Sequence, residues 1–103
     1  KAAVYSSQWC RCLDTARLLD LEEVSQLPSL NSFFENFERG KYQTEKTMRW
    51  IQNAPLGTPT VLVSHQVNIT ALTGYSPTSG EIVFVRRETD GTLSIIGTIQ
   101  TIN

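Results

Sequence analysis

Two short apolar runs, each followed by a polar turn and then by residues spaced as in a helix, constrain the fold of this chain most. The first run is Ala2 to Tyr5 and the second is Thr60 to Ser64. Runs of this kind are typical of buried strands in parallel sheets, and a helix usually makes the crossover between two such strands. The sequence therefore predicts an α/β fold with a mostly parallel sheet, arranged as a three-layer α/β/α sandwich.

Helix caps, breakers and turn residues predict the remaining elements. Ser6 or Ser7 offers an N-cap for the first helix. Thr44 is expected to cap a second helix, and Gly74 is expected to end a third. In chain order the predicted elements are a strand over 2–5, a helix with Leu13, Ala16 and Leu19 or Asp20 at helical spacing, a short extended piece within 22–28, a loop with a helical turn over 30–42, a helix over 44–53 with Met48 and Ile51 inward, a strand over 60–64, a helix over 67–73, and strands over 81–86 and 93–99. The Asp90-Gly91 pair is favoured in antiparallel hairpins, so we expect the chain to end in a hairpin.

Length and composition limit the chain to one domain and argue against two classes of partner. A chain of 103 residues is at most one domain. It has nine Lys and Arg against ten Asp and Glu, without a basic stripe, which argues against nucleic acid. No apolar run approaches the roughly 20 residues of a membrane span, so we expect a soluble domain.

The first residues have the pattern of a strand from within a domain. Lys1 is followed at once by the strand predicted at Ala2 to Tyr5, and no methionine precedes it. We expect residues 1–103 to be the C-terminal part of a single longer domain, with any targeting segment upstream. The compartment stays open between the cytoplasm and the bacterial periplasm.

Neither cysteine fits a catalytic or metal-binding pattern. Cys10 and Cys12 are too close to form a disulfide with each other easily, and their spacing matches neither a zinc site nor a redox pair. Neither has the arginine that follows the thiolate of cysteine phosphatases after five intervening residues. The sequence also contains no G-x-S-x-G, Walker or H-E-x-x-H motif. We expect two partly buried thiols and no metal, while a disulfide to an upstream cysteine stays open.

One arginine and the only histidine lie just beyond the two predicted strands. With Ser7 as the N-cap, Arg11 lies in the first turn of a helix, where a cation opposes the helix dipole and pairs more naturally with a bound anion. Thr15 lies four residues later on the same face. His65 follows the second strand at the carboxyl edge of the sheet, where open α/β sheets bind ligands. Because guanidinium groups bind phosphate and imidazoles handle protons or phosphoryl groups, the sequence predicts part of a phosphoryl-transfer site.

Two longer segments carry a family resemblance. They are Ser6-Ser7-x-x-x-Arg11-x-x-x-Thr15-Ala16 and Val61-Leu62-Val63-Ser64-His65, the latter followed by a predicted helix. These segments resemble the second and third sequence blocks of the histidine phosphatase superfamily, which has the phosphoglycerate-mutase-like fold. Further matches to a small-phosphatase subgroup of its branch 1 are Gln8-Trp9-Cys10-Arg11-Cys12, Leu30-Asn31-Ser32-Phe33-Phe34, Gln66 to Gly74 and Ser79 to Val83. The resemblance covers nearly the whole chain.

The resemblance implies phosphomonoester hydrolysis through a phosphohistidine, without metal or organic cofactor. The family's pocket holds two arginines and two histidines, and its nucleophilic histidine follows an arginine on the first strand. Arg11 matches the second arginine, which binds phosphate, and His65 matches the second histidine, which hydrogen-bonds the phosphoryl oxygens. The Arg-His pair itself has no counterpart in residues 1–103. The family's acid often follows a Leu-Asn pair, but that position is Ser32, so the candidate acid is Glu35.

Two functions from different classes are therefore expected. The first is a phosphomonoesterase for a phosphorylated small molecule or phosphoprotein, complete only with the Arg-His segment. The second is a non-catalytic binding or interaction domain that retains the phosphate pocket. In the family the strand with the Arg-His pair lies inside the sheet, so its absence is expected to expose strand edges that a retained N-terminal segment or another copy fills. Phe33 is expected in the core, while Phe34 and Phe37 stay open between core and pocket cover.

Overall fold

Three strands form one parallel sheet in the computed structural model, which describes residues 3–21, 23–55 and 59–100. They are β1 (Ala3–Ser6), β2 (Val24–Gln26) and β3 (Thr60–Val63). The strand order is β2-β1-β3, and both pairings are parallel. The prediction of an α/β fold with a parallel sheet is confirmed. β1 ends one residue later than the strand predicted over 2–5, and β3 ends one residue earlier than the strand predicted over 60–64. The predicted strand residue Ala2 lies outside the described part of the chain.

Three α-helices connect the strands: α1 (Cys10–Leu18), α2 (Gly40–Asn53) and α3 (Gln66–Thr73). Two short 3-10 turns, Pro28–Leu30 and Phe37–Arg39, lie between β2 and α2. The third helix ends as predicted, because Gly74 adopts a left-handed conformation with φ of 81°.

The expected N-cap of the first helix was wrong. Trp9 is the N-cap residue of α1, and it makes no side-chain capping bond. The hydroxyl of Ser7 accepts instead from the N–H of Trp9 at 3.2 Å, and it also contacts groups from other segments. Arg11 nevertheless lies in the first turn of α1, as expected.

The expected start of the second helix was also wrong. α2 begins at Gly40, and the hydroxyl of Thr44 donates to the carbonyl of Gly40 at 2.7 Å inside the helix. The ring of Phe33 packs so tightly on Gly40 that a Cβ atom there would lie 2.7 Å from it. The buried side of α2 is formed by Gly40, Gln43 and Thr47, while Met48 and Ile51 are only half-buried. This helix therefore meets the core through small and polar residues.

The chain ends in the predicted antiparallel hairpin of β4 (Glu81–Arg87) and β5 (Leu93–Gln100). Gly91 lies in its turn at φ of 89°, a conformation that favours glycine. The hairpin is a separate two-stranded sheet in the described part of the chain. Three hydrogen bonds anchor it to the C-terminal end of α2: Arg87 donates to the carbonyls of Ile51 and of the C-cap residue Ala54, and the side-chain amide of Gln52 donates to the carbonyl of Gly91.

The buried apolar core lies around β1. Its members are Val4, Cys12, Ala16, Leu30 and Phe33. The hairpin, by contrast, leaves most of its apolar side chains exposed, namely Ile82, Phe84, Val85, Ile95, Ile96 and Ile99. Within the three described ranges, β3 pairs with β1 on one side and has no strand on its other side. No helix in those ranges has the length and apolar character needed to cross a membrane.

Candidate functional site

The candidate site lies where β1 and β3 end side by side. Ser6 is in register with Val63, and the backbone N–H of Ser7 donates to the carbonyl of Val63 at 2.9 Å. Helix α1 begins shortly after β1, and α3 begins directly after His65, which is its N-cap residue. Parallel pairing thus brings the two sequence segments that carry Arg11 and His65 to one edge of the sheet, as expected.

The imidazole of His65 is held on one side by three neighbours. Its Nε2 atom lies 2.9 Å from Oγ of Ser7 and 3.6 Å from Sγ of Cys12. The ring of Trp9 meets the imidazole edge-on, with centroids 4.6 Å apart. Burial, and secondly the positive charge of Arg11, lower the pKa of His65. The imidazole is therefore mainly neutral at neutral pH.

Arg11 extends into solvent beside this histidine. Its guanidinium makes no hydrogen bond or ion pair with any described residue, and the residue is exposed. Its charge lowers the pKa values of both His65 and Cys12, which places it within electrostatic reach of the two side chains. The hydroxyl of Thr15, the other predicted phosphate ligand, donates to the carbonyl of Arg11 at 2.9 Å. Thr15 is exposed, and its proton is used within the helix.

Cys12 is buried below the imidazole. Its thiol contacts the carbonyl of Ser64 at 3.6 Å, and its burial raises the thiol pKa more than Ser7 and Arg11 lower it. Because the thiolate is the reactive form, this cysteine is a poor nucleophile at neutral pH. The prediction that both thiols are partly buried was wrong for Cys10, which is exposed at the start of α1, and both cysteines are free.

Asn31 is a residue of the site to which the sequence assigned no role. Its Oδ1 atom accepts from the backbone N–H of Gln8 at 2.7 Å and from the hydroxyl of Ser7 at 3.1 Å. Its Nδ2 atom donates to Oε1 of Gln8 at 3.0 Å. The one signal in the sequence is its place after Leu30 in a segment that matches the family resemblance. That signal does not indicate which groups the amide contacts.

The backbone carbonyl of Asn31 accepts hydrogen bonds from side chains of two helices. Its carbonyl accepts from Nε2 of Gln43 in α2 and from Nδ2 of Asn68 in α3, both at 2.7 Å. Asn68 is buried, and its Oδ1 atom has no hydrogen-bond partner among the described residues. Asn31 therefore links the β1–α1 turn, α2 and α3 around the histidine.

The other predicted residues lie on the loop after Asn31. Glu35, the candidate acid, is exposed and makes no hydrogen bond or ion pair within the described ranges. Phe33 is buried, which confirms its expected place in the core. Phe34 and Phe37 are largely exposed and meet edge-on with ring centroids 5.8 Å apart. The structure thus brings Arg11 and His65 together and gives Glu35 no contact with either.

A separate concave surface lies away from this site. An open groove of about 740 Å³ runs between the beginnings of β1 and β3 and the end of α2, and Tyr5 and Trp50 line it. It contains neither Arg11 nor His65. Among the described residues no group of three or more His, Cys, Asp or Glu side chains is placed to hold a metal ion.

Compared with models of known families, with characterised proteins and with solved structures, the chain shows no significant match. What supports a function is therefore the arrangement of its own residues.

Proposed function

We propose that Arg11 and His65 bind the phosphoryl group of a phosphomonoester, as part of a centre that hydrolyses it through a phosphohistidine. The observation that carries the proposal is the pair itself: a guanidinium with no partner among the described residues and a mainly neutral imidazole, both close to the carboxyl ends of two adjacent parallel strands. A guanidinium without a protein partner has its donors free for the two oxygens of a phosphate. The first turn of α1 adds a partial positive charge at the same place.

In this proposal His65 stabilises the negative charge of the phosphoryl group and is not the nucleophile. Ser7 and Cys12 occupy the Nε2 side of the ring, which leaves Nδ1 for the substrate. An imidazole that donates to a phosphoryl oxygen stabilises the negative charge of the transition state. The phosphoryl group would pass from the ester oxygen to a second histidine, and water would then release it as phosphate. Glu35 is the candidate that protonates the leaving alcohol.

The second histidine must come from outside these residues, because the 103-residue sequence contains one histidine. The resemblance implies that it lies on a strand inside the sheet. In the described chain β3 has a neighbouring strand on one side, and our proposal places the additional strand on its other side. A parallel strand there would end beside His65 and join the two sheets, which would complete a three-layer α/β/α arrangement.

A non-catalytic phosphate-binding domain is the second candidate. It requires only Arg11 and His65, whereas turnover by the proposed mechanism also requires a second histidine, and residues 1–103 contain one. The two candidates differ in one measurable property. Only the enzyme, in a form that includes the second histidine, forms a phosphohistidine that radiolabelled substrate traps.

Anion binding by residues 1–103 tests the part that both candidates share. Orthovanadate or inorganic phosphate is titrated into the protein while the backbone amides of α1 and the ring of His65 are followed by NMR. We expect Arg11→Ala and Arg11→Lys to weaken binding by a similar factor, because lysine does not reproduce the two-pronged contact. Arg17→Ala is the matched control, since Arg17 lies on the same helix in a surface pair with Asp14 at 3.7 Å. Equal binding by the wild type and both Arg11 variants would refute the proposal.

A further inference from the structure

The hydroxyl of Ser7 has one proton and two groups that accept it. Its oxygen lies 2.9 Å from Nε2 of His65 and 3.1 Å from Oδ1 of Asn31, and it accepts from the N–H of Trp9 at 3.2 Å. Ser7 is fully buried, so no water competes for these contacts. At any moment the proton points either to the imidazole or to the amide oxygen.

The orientation of the Asn31 amide is fixed independently of the histidine. The backbone N–H of Gln8 is only a donor and lies 2.7 Å from Oδ1, while Nδ2 donates to Oε1 of the same residue. The atom that faces Ser7 is therefore the oxygen, which only accepts. Its bond from Gln8 remains when the Ser7 proton points elsewhere.

We propose that Asn31 is a positioning residue that stabilises the charged form of His65 through Ser7. When Nε2 is unprotonated, the Ser7 hydroxyl donates to it. When the imidazole takes up a proton and both ring nitrogens carry hydrogen, Nε2–H donates to the Ser7 oxygen and the hydroxyl proton turns to Oδ1 of Asn31. No hydrogen bond is lost at Nε2 in either state.

The ionisable side chains that face His65 in the described ranges both come from α1. They are Arg11, whose charge opposes protonation, and Cys12, whose neutral thiol contacts the carbonyl of Ser64. Asn31 therefore favours protonation of His65, whereas the charge of Arg11 opposes it. The use of Asn31 in catalysis or binding rests on the proposed function. A phosphate dianion beside Arg11 favours the imidazolium, and Ser7 and Asn31 allow His65 to become protonated while Nε2 keeps its hydrogen bond to Ser7.

We call the hydrogen bonds from Asn31 through Ser7 to His65 the relay. An NMR titration of the His65 ring in the absence of phosphate tests the relay separately from the proposed function. Asn31→Asp places a carboxylate acceptor behind Ser7, and we expect the His65 pKa to rise by about one unit. Asn31→Leu removes the acceptor, and we expect the pKa to fall. Asn36→Asp adds the same charge on the same loop without these contacts and is the matched control. An unchanged pKa in Asn31→Asp would overturn the proposal.

Two further measurements separate the relay from a direct charge effect and from misfolding. In a Ser7→Ala background the effect of Asn31→Asp should shrink to less than half, whereas an undiminished effect would contradict the relay. In the wild type, the side-chain carbonyl carbon of Asn31 should titrate with the same midpoint as the His65 ring. A flat carbonyl signal through that midpoint would also overturn the proposal, and it requires no variant.

Discussion

The region around the ends of β1 and β3 buries polar side chains, whereas the terminal hairpin exposes apolar ones. At the strand ends, Ser6, Ser7 and Asn68 are buried and polar. In the hairpin, Phe84 and Ile96 are apolar and substantially exposed. Buried polar groups are costly unless partners satisfy them, so the strand ends need precise contacts between distant segments. The hairpin depends instead on local strand pairing, and most of its apolar side chains are exposed.

The largest expected effect is on the rate of phosphomonoester hydrolysis, which should depend on the strand-end region and not on the hairpin. In a form of the protein that carries the nucleophilic histidine, His65→Ala should slow phosphomonoester hydrolysis by about a hundredfold or more, since it removes one electrostatic donor. Radiolabelled phosphate should still appear on another histidine. Ile96→Thr in the hairpin should leave the rate unchanged. Label found on His65 in the wild type would assign it the role of nucleophile and contradict our assignment.

Stability of the hairpin's attachment should depend on one arginine. Arg87→Ala removes bonds to the carbonyls at the end of α2, and bonds of a charged donor contribute about 1.5–3 kcal/mol each. Arg86→Ala removes only an exposed pair with Glu88, for which we expect less than about 1 kcal/mol. Urea denaturation measures both. Faster hydrogen exchange of the β4 and β5 amides in the Arg87 variant alone would locate the loss, and equal losses would show that the anchor is not specific.

Two glycines make a matched test of packing in the two regions. A Cβ at Gly40 would overlap the ring of Phe33, so Gly40→Ala should destabilise the fold by about 1–2 kcal/mol despite the better helix propensity of alanine. At Gly97 in β5 no atom lies within 4 Å of the added Cβ. Gly97→Ala should therefore be neutral or slightly stabilising. Urea midpoints that fall equally for both variants would contradict the difference in packing.

The smallest expected effect is a pH dependence at the strand ends. Burial lowers the pKa of His65 in the folded chain, so the unfolded chain binds the proton more readily. The stability that this group contributes is present above the unfolded pKa of about 6.5 and is lost as pH falls through the folded value. His65→Gln should flatten the stability profile over that window. A wild-type stability that rises as pH falls from 7 to 6 would reverse the sign.

Local signals in the sequence predicted the elements that are stabilised locally. The hairpin around Gly91 and the end of α3 at Gly74 follow from backbone conformations that favour glycine. The starts of α1 and α2 could not be predicted in this way. Ser7 looks like a cap but its hydroxyl is engaged by two distant segments, and the helix that Thr44 was expected to begin starts instead where Gly40 meets Phe33.

The residues of the candidate site also divide into those that local sequence predicts and those that depend on contacts between distant segments. Arg11 and His65 could be identified because each follows a strand, and parallel pairing then brings them together. Asn31 could not, because its role consists of contacts with residues 12 or more positions away, such as Gln8, Gln43 and Asn68. A single sequence indicates which residue types are available, but contacts of this kind appear only when the chain is folded.

The edge-on contact between Trp9 and His65 gives the site an optical signal. A protonated imidazole quenches the fluorescence of a neighbouring indole more strongly than a neutral one does. The chain has two tryptophans, and the other, Trp50, packs edge-on against Tyr5 and not against His65. Emission from Trp9 therefore changes with the charge of His65, while Trp50 provides a constant background that Trp50→Phe would remove.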